Sequence, residues 1–569
     1  MRRMKKWTAL FLASVMAVGA LGGCGGSQEA GDAKGDAQTS EAQPAQEEEE
    51  KVEEGTGEAE EAATAEASQD SASQDFSEHL DISLAFWDVE SNLTGTPDDK
   101  VLKTLEEKFN ITFVPQNISW DDYEQKLQLW AASDSLPDIF MGAERTKSSF
   151  AKWANEGLLR EIPADLSAYE NLSRYMDSPE LPTCQVNGKT YCIFRQTYKE
   201  QAYTTIDRMV AYRWDLAQEA GITKEPENWD EFREMIQAII AADPEGKGIQ
   251  GLTTKGYKQL TGEVFTYSMP LAAVSGVTFY WVDNGDGTYV PAYFAGENMG
   301  DAALPTWQLI RDMYTEGTIE KDIAVTTSTQ ALEKFLQGSN AAILIDGGAG
   351  NIYNDVAKYW NEIYGNDFLD DVKFLSVMQD QNGNLAYPIW DYAWSESYIS
   401  SHVDDVKMER ILALYDYMLS REGVLLTNCG IEGESYGIED GKIVYEGYGE
   451  GTGAPGDTFK SINVFANLVS WTPGMEDSNE FPNTVPQEFI DINDAKADVA
   501  RGVEVPAYNY DCTVAFVGLG SDFALNVEDD MLSIMTGTED VEKMWNDIIE
   551  KYKADGLEDI ISQVNEAVK

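Results

Sequence analysis

From residue 80 onward, short apolar runs give way to longer stretches with a helical repeat, and the two kinds alternate. Asp81–Trp87 reads as a strand followed by a polar break, and Ile111–Val114 as a second strand. Between them, Asp98–Phe109 places Val101, Leu102, Leu105 and Phe109 on one helical stripe. Trp120–Ala132 repeats the pattern with Tyr123, Leu127 and Trp130, and Leu136–Ile139 leads into a third strand. This βαβαβ order predicts an open, mostly parallel sheet. Ligands of such sheets sit beyond the carboxyl ends of the strands, which puts Trp87, Asp88 and the turn Phe140–Gly142 near a site.

Farther along, helices are predicted over Tyr212–Gly221, Trp229–Ala242, Ala302–Glu316, Ser328–Gln337 and Val403–Ser420. Thr278–Val290 reads as a hairpin turning at Asn284–Gly287, and Ala341–Ile345 as a buried strand breaking into Asp346-Gly347-Gly348. Val372–Met378 and Leu385–Trp390 look like strands around a turn at Gln381–Asn384, and two helices, Val541–Ala554 and Leu557–Val568, follow near the end. With βα units in two stretches and no repeat of 20–50 residues, the expected fold class is α/β, in two lobes.

The front of the chain is different. Arg2, Arg3, Lys5 and Lys6 precede an apolar stretch, Trp7–Leu21, that falls short of the roughly 20 residues a membrane span needs. Residues 1–23 therefore read as a signal peptide. The stretch ends in Leu21-Gly22-Gly23-Cys24, which resembles the lipobox of bacterial lipoproteins. The resemblance implies cleavage before Cys24 and attachment of a diacylglyceryl group to its thiol. Residues 24–79 are expected to be a lipid-anchored, disordered acidic linker: residues 25–79 hold 17 Asp and Glu against 2 Lys, with Phe76 as the only aromatic. Such a segment buries too little apolar surface to offset its chain entropy.

The whole chain carries 100 acidic against 41 basic residues, a net charge of −59. That excludes nucleic acid as a partner, because such binding needs clustered Lys and Arg, and it excludes a polybasic membrane-surface role. It fits an extracytoplasmic protein with a neutral or cationic ligand. Cysteine is sparse: besides Cys24 there are Cys184, Cys192, Cys429 and Cys512, with no CxxC pair to suggest zinc. Cys184 and Cys192 flank Asn187-Gly188. A two-residue turn there would put them on opposite faces of a hairpin, and a three-residue loop would put them directly across, so a disulfide is conditional on the turn.

Catalytic motifs fail on inspection. Gly433-Glu-Ser-Tyr-Gly437 matches the nucleophile elbow, but such hydrolases need a His after the Ser, and the two His of this chain, His79 and His402, both precede Ser435. Asp283–Gly287 superficially resembles a calcium loop but has Gly285 and Gly287 where the acids belong. No phosphate loop or HExxH occurs. No cofactor, metal or catalytic role is expected.

Several segments together resemble the extracellular solute-binding proteins of ABC importers, in the large sugar-binding group of family 1 that clusters with maltose-binding protein, and within it the lipoproteins for oligosaccharide or aldouronate uptake. They are Ser135–Ile139 (SLPDI), Val186–Tyr191 (VNGKTY), Tyr212–Leu216 (YRWDL) with Gly221-Ile222, Asn228–Phe232 (NWDEF), Phe335–Gly338 (FLQG) with Ala341-Ala342, Gly430–Gly433 (GIEG) with Asp440-Gly441, and Ile534–Gly537 (IMTG) ahead of Trp545. The resemblance implies a periplasmic-binding-protein-like fold of two lobes joined by hinge strands. Residues 80–200 and 388–470 would form one lobe, 201–387 the other, and 471–569 a C-terminal segment packing on both. Crossings would fall near Arg195–Ile206, Ala386–Trp394 and Ile462–Trp471. It also implies capture of a small-molecule solute, delivery to ABC permease subunits as a monomer, and attachment to the outer face of the cell membrane through the lipid. One departure stands out: relatives of the maltose type often carry an aromatic just after the strand matching Ala341–Ile345, where this chain has Asp346–Gly350.

Sugar capture needs planar polar groups for hydroxyls and flat aromatic rings for C–H faces, and 14 Trp and 27 Tyr can supply the rings. The candidate ligand-binding residues are Trp87 and Asp88 at the end of the first strand, Trp120 at a helix start, Arg195 at the first crossing, Asp346, and Trp390, Asp391, Tyr392 and Trp394 at the second. Alternation along a strand would put Trp390, Tyr392 and Trp394 on one face. Arg195 could clasp a uronate carboxylate as a bidentate fork or form an interlobe salt bridge. Trp281 and Trp471 are weaker candidates. The alternatives are a peptide- or other-solute-binding lipoprotein of the same fold and, more remotely, a cell-surface glycan-active enzyme.

Overall fold

Nine strands in chain order build two sheets: β1 (Leu80–Ala85), β2 (Ile111–Pro115), β3 (Ile139–Gly142), β4 (Cys192–Gln196), β5 (Arg208–Arg213), β6 (Gln250–Thr254), β7 (Asn340–Asp346), β8 (Val372–Leu375) and β9 (Ala393–Ile399). The computed structural model describes residues 76–569 except 88, 97, 120–121, 199, 244–245, 257–259, 270–279, 440, 446–447, 449–454, 470–484 and 505–507. The leader, Cys24, most of the acidic linker, and the candidates Asp88, Trp120 and Trp471 lie outside the described residues. Among the described residues no helix is long and apolar enough to cross a membrane.

The first sheet has the order β2-β1-β3-β9-β4 and the second β8-β5-β7-β6. Each is parallel except for one strand: β9 pairs antiparallel with β3 and β4, and β5 antiparallel with β7 and β8. Those two are the strands that enter a sheet directly after the chain has crossed from the other one. Their starts therefore lie beside the ends of their neighbours: Arg208 pairs with Asp346 in the second sheet, and Ala393 with Gln196 in the first. The carboxyl ends of the parallel strands in both sheets thus converge on the crossing segments, 197–207 and 387–392.

Alternation fills both faces of the second sheet. Val210, Tyr212, Leu252, Ala342 and Leu344 point into one core, and Met209, Ala211, Ile343 and Ile345 into another. That is why β7 reads as an unbroken apolar run. The first sheet has its own core around Leu84, Val101, Phe140, Ile193 and Tyr398. Helix limits follow local chemistry. The Asp99 carboxylate accepts from Leu102 N at 3.0 Å to start Lys100–Phe109, and left-handed Asn110 stops it. Asn228 caps Trp229–Ala242 through Glu231 N at 2.8 Å, and Thr327 with Gln330 forms a capping box on Ser328–Leu336.

The C-terminal region shuttles between the sheets. Helix Gln487–Arg501 packs on the crossing segment at Gln201–Ile206, Tyr510–Gly518 packs on Ser148–Asn155, and Val527–Thr536 and Val541–Ala554 pack on Leu304–Glu316.

The structure corrects several expectations. Tyr212 and Arg213 belong to β5, not to a helix: Tyr212 pairs with Ala342 on one side and Lys373 on the other, and Arg213 pairs with Val372; the helix is Trp214–Glu219. Trp390–Tyr392 is an irregular segment, and the strand begins only at Ala393. Ile462–Val469 is a helix packed on the first sheet, not a crossing strand. Phe76–His79, read as linker, are docked on the body: Arg410 stacks over Phe76 at 4.4 Å and donates to Glu78 O at 3.3 Å, and His79 bonds Asn110 at 3.0 Å. Residues 187 and 188 form a two-residue turn with left-handed φ values of 52° and 75°. Cys184 and Cys192 are free and fully buried, as are Cys429 and Cys512.

Candidate functional site

At the carboxyl end of β1 the chain turns at Phe86 and presents Trp87, half-buried, toward the start of β9. The Trp87 ring lies 5.3 Å from that of Trp394 and 5.8 Å from that of Tyr123. The Arg195 guanidinium stacks over both tryptophans, 5.1 Å from Trp87 and 4.8 Å from Trp394. Arg195 also donates through Nε to Trp394 O at 3.2 Å and through Nη1 to Asn467 O at 2.9 Å. Its residue surface is fully buried, and that burial pulls its pKa down to about 9 against the opposing pull of Tyr175 and Glu396. Arg195 therefore acts as an internal brace for two tryptophan rings.

A second node forms past the end of β3. Glu144 N and Arg145 N donate to Glu396 Oε1 at 2.6 and 3.2 Å, and Tyr398 Oη donates to the same oxygen at 2.5 Å. The Arg145 guanidinium pairs with Asp391 and donates to Ala393 O at 2.8 Å and Thr183 Oγ1 at 2.6 Å. Burial raises the Glu396 carboxyl, and Arg145 opposes that rise. Gly142 gives the Tyr398 ring room here, since a Cβ would stand 3.0 Å from it and press on it. Asp391 also accepts from Tyr510 Oη at 3.3 Å and Ala393 N at 3.2 Å, so both of its oxygens are engaged inside the protein.

The segment just before β9 is held at its backbone. Tyr392 O accepts from Thr197 N at 2.7 Å and Tyr198 N at 3.1 Å. Its side chains Trp390 and Tyr392 are half-buried, as is Trp394 in the strand beyond, and Trp390 Nε1 has no partner among the described residues. A bulge between Ala393 and Glu396, with Ser395 at φ 67°, breaks the strand alternation at Trp394.

The second sheet contributes a charged cluster. Asp346, at the end of β7, pairs with Arg208 at 3.0 Å and Lys255 at 2.6 Å. Lys255 reaches Asp355 at 2.8 Å, Arg208 reaches Asp207 at 2.9 Å, and Tyr198 donates to Asp207. Glu263 lies beside them, 2% exposed; burial, reinforced by Asp207 and opposed by Arg208, pushes its carboxyl well above the ordinary range. Gly347 lets the crossing segment approach, because a Cβ there would sit 2.6 Å from Ile206 O. The amides after Asp346 are used internally: Gly347 N donates to Asp207 O at 3.2 Å and Ala349 N to Asn493 Oδ1 at 2.6 Å.

Of the candidates read from sequence, Trp87, Arg195 and Trp394 come together, Trp390, Asp391 and Tyr392 lie next to them on the crossing, and Asp346 stands at the strand ends of the other sheet. Trp281 is 1% exposed and belongs to the core. Sequence reasoning missed Arg145, Arg208, Lys255 and Glu263. Arg145 follows the same strand end as Phe140–Gly142, which was a usable signal; the others follow only from strand register. The elbow-like Ser435 is fully buried, donating to Cys429 O at 2.6 Å and accepting from Ile431 N at 2.9 Å, so its hydroxyl serves a turn. In the calcium-like loop, Asp283 accepts from the amides of Gly285 and Gly287.

Comparison with known proteins adds an independent line. A family model described as bacterial extracellular solute-binding protein matches residues 90–424. Lipoprotein LipO of Bacillus subtilis is 26% identical over 356 residues, 61% of this chain and 66% of that protein. The polygalacturonan/rhamnogalacturonan-binding protein YtcQ of the same organism is 24% identical over 60% of this chain and 64% of its own. The match thus spans just under two thirds of the length of these relatives. Among solved structures, alginate-binding protein AlgQ2 without calcium superposes with a TM-score of 0.64 at 17% identity, covering 87% of this chain and 99% of its own. The S. pneumoniae substrate-binding protein FusA, in complex with kestose, gives 0.62 at 14% identity over 86% and 99%. These last two likenesses establish a shared two-lobe fold.

Proposed function

Because this chain belongs to the bacterial extracellular solute-binding proteins, we propose that it captures an oligosaccharide between the strand ends of its two sheets and delivers it to the permease of an ABC importer. The observation that carries this reading is the row of half-buried rings at one crossing, Trp390, Tyr392 and Trp394, with Trp87 against the last of them. Rings with one face packed and another accessible suit the C–H faces of pyranoses, while the carboxylates of Asp346 and Asp355 accept from hydroxyls. The sugars named for YtcQ and FusA support a glycan ligand.

In this reading, residues 80–200 and 388–470 form one lobe and 201–387 the other, and closure bends the two crossings. Trp390 and Tyr392 stack on the sugar. Trp87, Trp394 and Arg195 form the wall behind them, and Asp391 positions the crossing through Arg145. The lipobox-like Leu21–Cys24 supports a lipid anchor at the outer face of the membrane, with the acidic linker as spacer.

Thermal unfolding of the full chain against plant and host oligosaccharides and short peptides tests the reading. A ligand at about 100 times its dissociation constant adds about 2.7 kcal/mol and raises the midpoint. A shift with glycans supports capture of sugar. Shifts with peptides alone overturn the sugar assignment, and no shift with any solute overturns the capture role.

A further inference from the structure

We propose that Ser395 is a positioning residue: its left-handed backbone makes the bulge in β9 that turns Trp394 away from the filled side of the first sheet and into the wall of the ligand cleft. The inference rests on the oligosaccharide reading above and deepens it.

The register shows what the extra residue does. Ala393 pairs with Gln196 and Glu396 with Phe194, so Trp394 and Ser395 together stand opposite Arg195 alone. Side chains two apart share a face of a strand, so an unbroken β9 would put Trp394 on the side of Glu396 and Tyr398. That side is packed: Glu396 accepts from Glu144 N at 2.6 Å, and the Tyr398 ring stacks 5.3 Å from that of Phe140. The other side carries Arg195 and Ser397, which donate to Asn467 O and Leu468 O of helix Ile462–Val469. The bulge brings Trp394 to this second side, where the Arg195 guanidinium covers its ring at 4.8 Å and the Trp87 ring lies 5.3 Å away.

Ser395 holds that bulge in a conformation its residue type disfavours. Besides Ser395, the described non-glycine residues with left-handed φ are Asn110, Asp134, Asn187 and Asp243. Asn and Asp tolerate that region, and these four stand at helix ends or in turns, exposed or half-buried. Ser395 lies inside a strand and is 4% exposed, with φ at 67°. Such a conformation persists only where its surroundings impose it, and it collects at sites where it aims a functional group. Here the group aimed is an indole with one face on Arg195 and the other left for the C–H face of a sugar.

Circular dichroism of the full chain without ligand reads the coupling between the Trp87 and Trp394 indoles, with Trp87→Phe and Trp394→Ala marking its loss. Ser395→Gly adopts the left-handed conformation at no steric cost, so it should keep the coupling and raise the unfolding midpoint. Ser395→Val resists that conformation, so it should lose the coupling. In calorimetric titration with oligosaccharides, Ser395→Val should bind about tenfold weaker, and adding it to Trp394→Ala should cost no further affinity. Intact coupling in Ser395→Val, or an affinity loss that persists in full without the Trp394 ring, overturns the inference and leaves the oligosaccharide reading standing. A glycine inside an ordinary strand destabilises, so a lowered midpoint in Ser395→Gly overturns the inference even if the valine variant does not fold. A native chain that binds peptides and no oligosaccharide overturns the oligosaccharide reading, and the part of Ser395 in sugar capture with it.

Discussion

The guanidinium of Arg145 and the carboxylate of Asp391 pair across 246 positions of chain, joining the end of β3 to the segment that crosses between the sheets. Arg145 is 3% exposed in its side chain and Asp391 15%. Replacing Asp391 with Ala removes the nearer of the two carboxylates at Arg145, leaves the buried guanidinium with Glu396 at 3.5 Å and neutral acceptors, and takes away a tie on the crossing. We expect a loss of about 3 kcal/mol in urea unfolding. Arg145→Ala should cost more, because Glu396 then keeps no cation. If Asp391→Ala leaves the unfolding midpoint unchanged, the pair does not hold the crossing.

Trp390 and Trp394 sit four residues apart but should behave differently. Trp390 has no ring partner or hydrogen bond among the described residues, so Trp390→Ala should lower ligand affinity about tenfold or more with a stability change under about 1 kcal/mol. Trp394 packs against Trp87 and carries Arg195 on its face. Trp394→Ala should therefore cost about 2 kcal/mol of stability as well as affinity. Calorimetric titration and chemical unfolding of both variants separate the two effects; equal stability losses would contradict the difference.

The first sheet was legible because β1, β2 and β3 carry local apolar patterns and their helices carry clear caps and stripes. Placing Trp87 at a strand end needed only the rule that ligands gather at carboxyl ends. The Arg145–Asp391 pair was not legible, since nothing local ties two residues so far apart. Nor was the Asp346 cluster, which arises because β5 runs antiparallel and sets Arg208 opposite Asp346. The Tyr212–Gly221 stretch was misread at its start because Tyr212 fits a helical stripe equally well, and only the flanking strands decide it. At Trp390–Tyr392, aromatic enrichment imitated a strand in what is a bent crossing.

Asn493 grips the second lobe from helix Gln487–Arg501. Its Nδ2 donates to Gly347 O at 2.8 Å and its Oδ1 accepts from Ala349 N at 2.6 Å, with the side chain buried. Asn493→Ala leaves a buried carbonyl and amide unsatisfied and should cost about 2 kcal/mol in urea unfolding. Because these bonds fix the loop directly after Asp346, ligand affinity should fall as well. Asn493→Asp retains the acceptor but loses the donor, and should lie between the two.

Glu263 makes stability depend on pH. Burial, with Asp207 adding to it, raises its folded-state pKa well above 4.5, while the unfolded chain keeps the ordinary value. The folded protein therefore binds the proton more tightly than the unfolded chain. The stability associated with protonated Glu263 is fully present below about pH 4.5 and declines as pH rises toward the folded-state pKa, by up to about 1.4 kcal/mol per pH unit. Glu263→Gln keeps the shape and the neutral state at every pH. Urea unfolding of the native chain and the variant should converge near pH 4 and diverge upward, with the variant more stable at pH 7. A constant difference across that range would mean that Glu263 titrates normally in the folded state, and that its carboxylate finds enough compensation from Arg208 to stay charged.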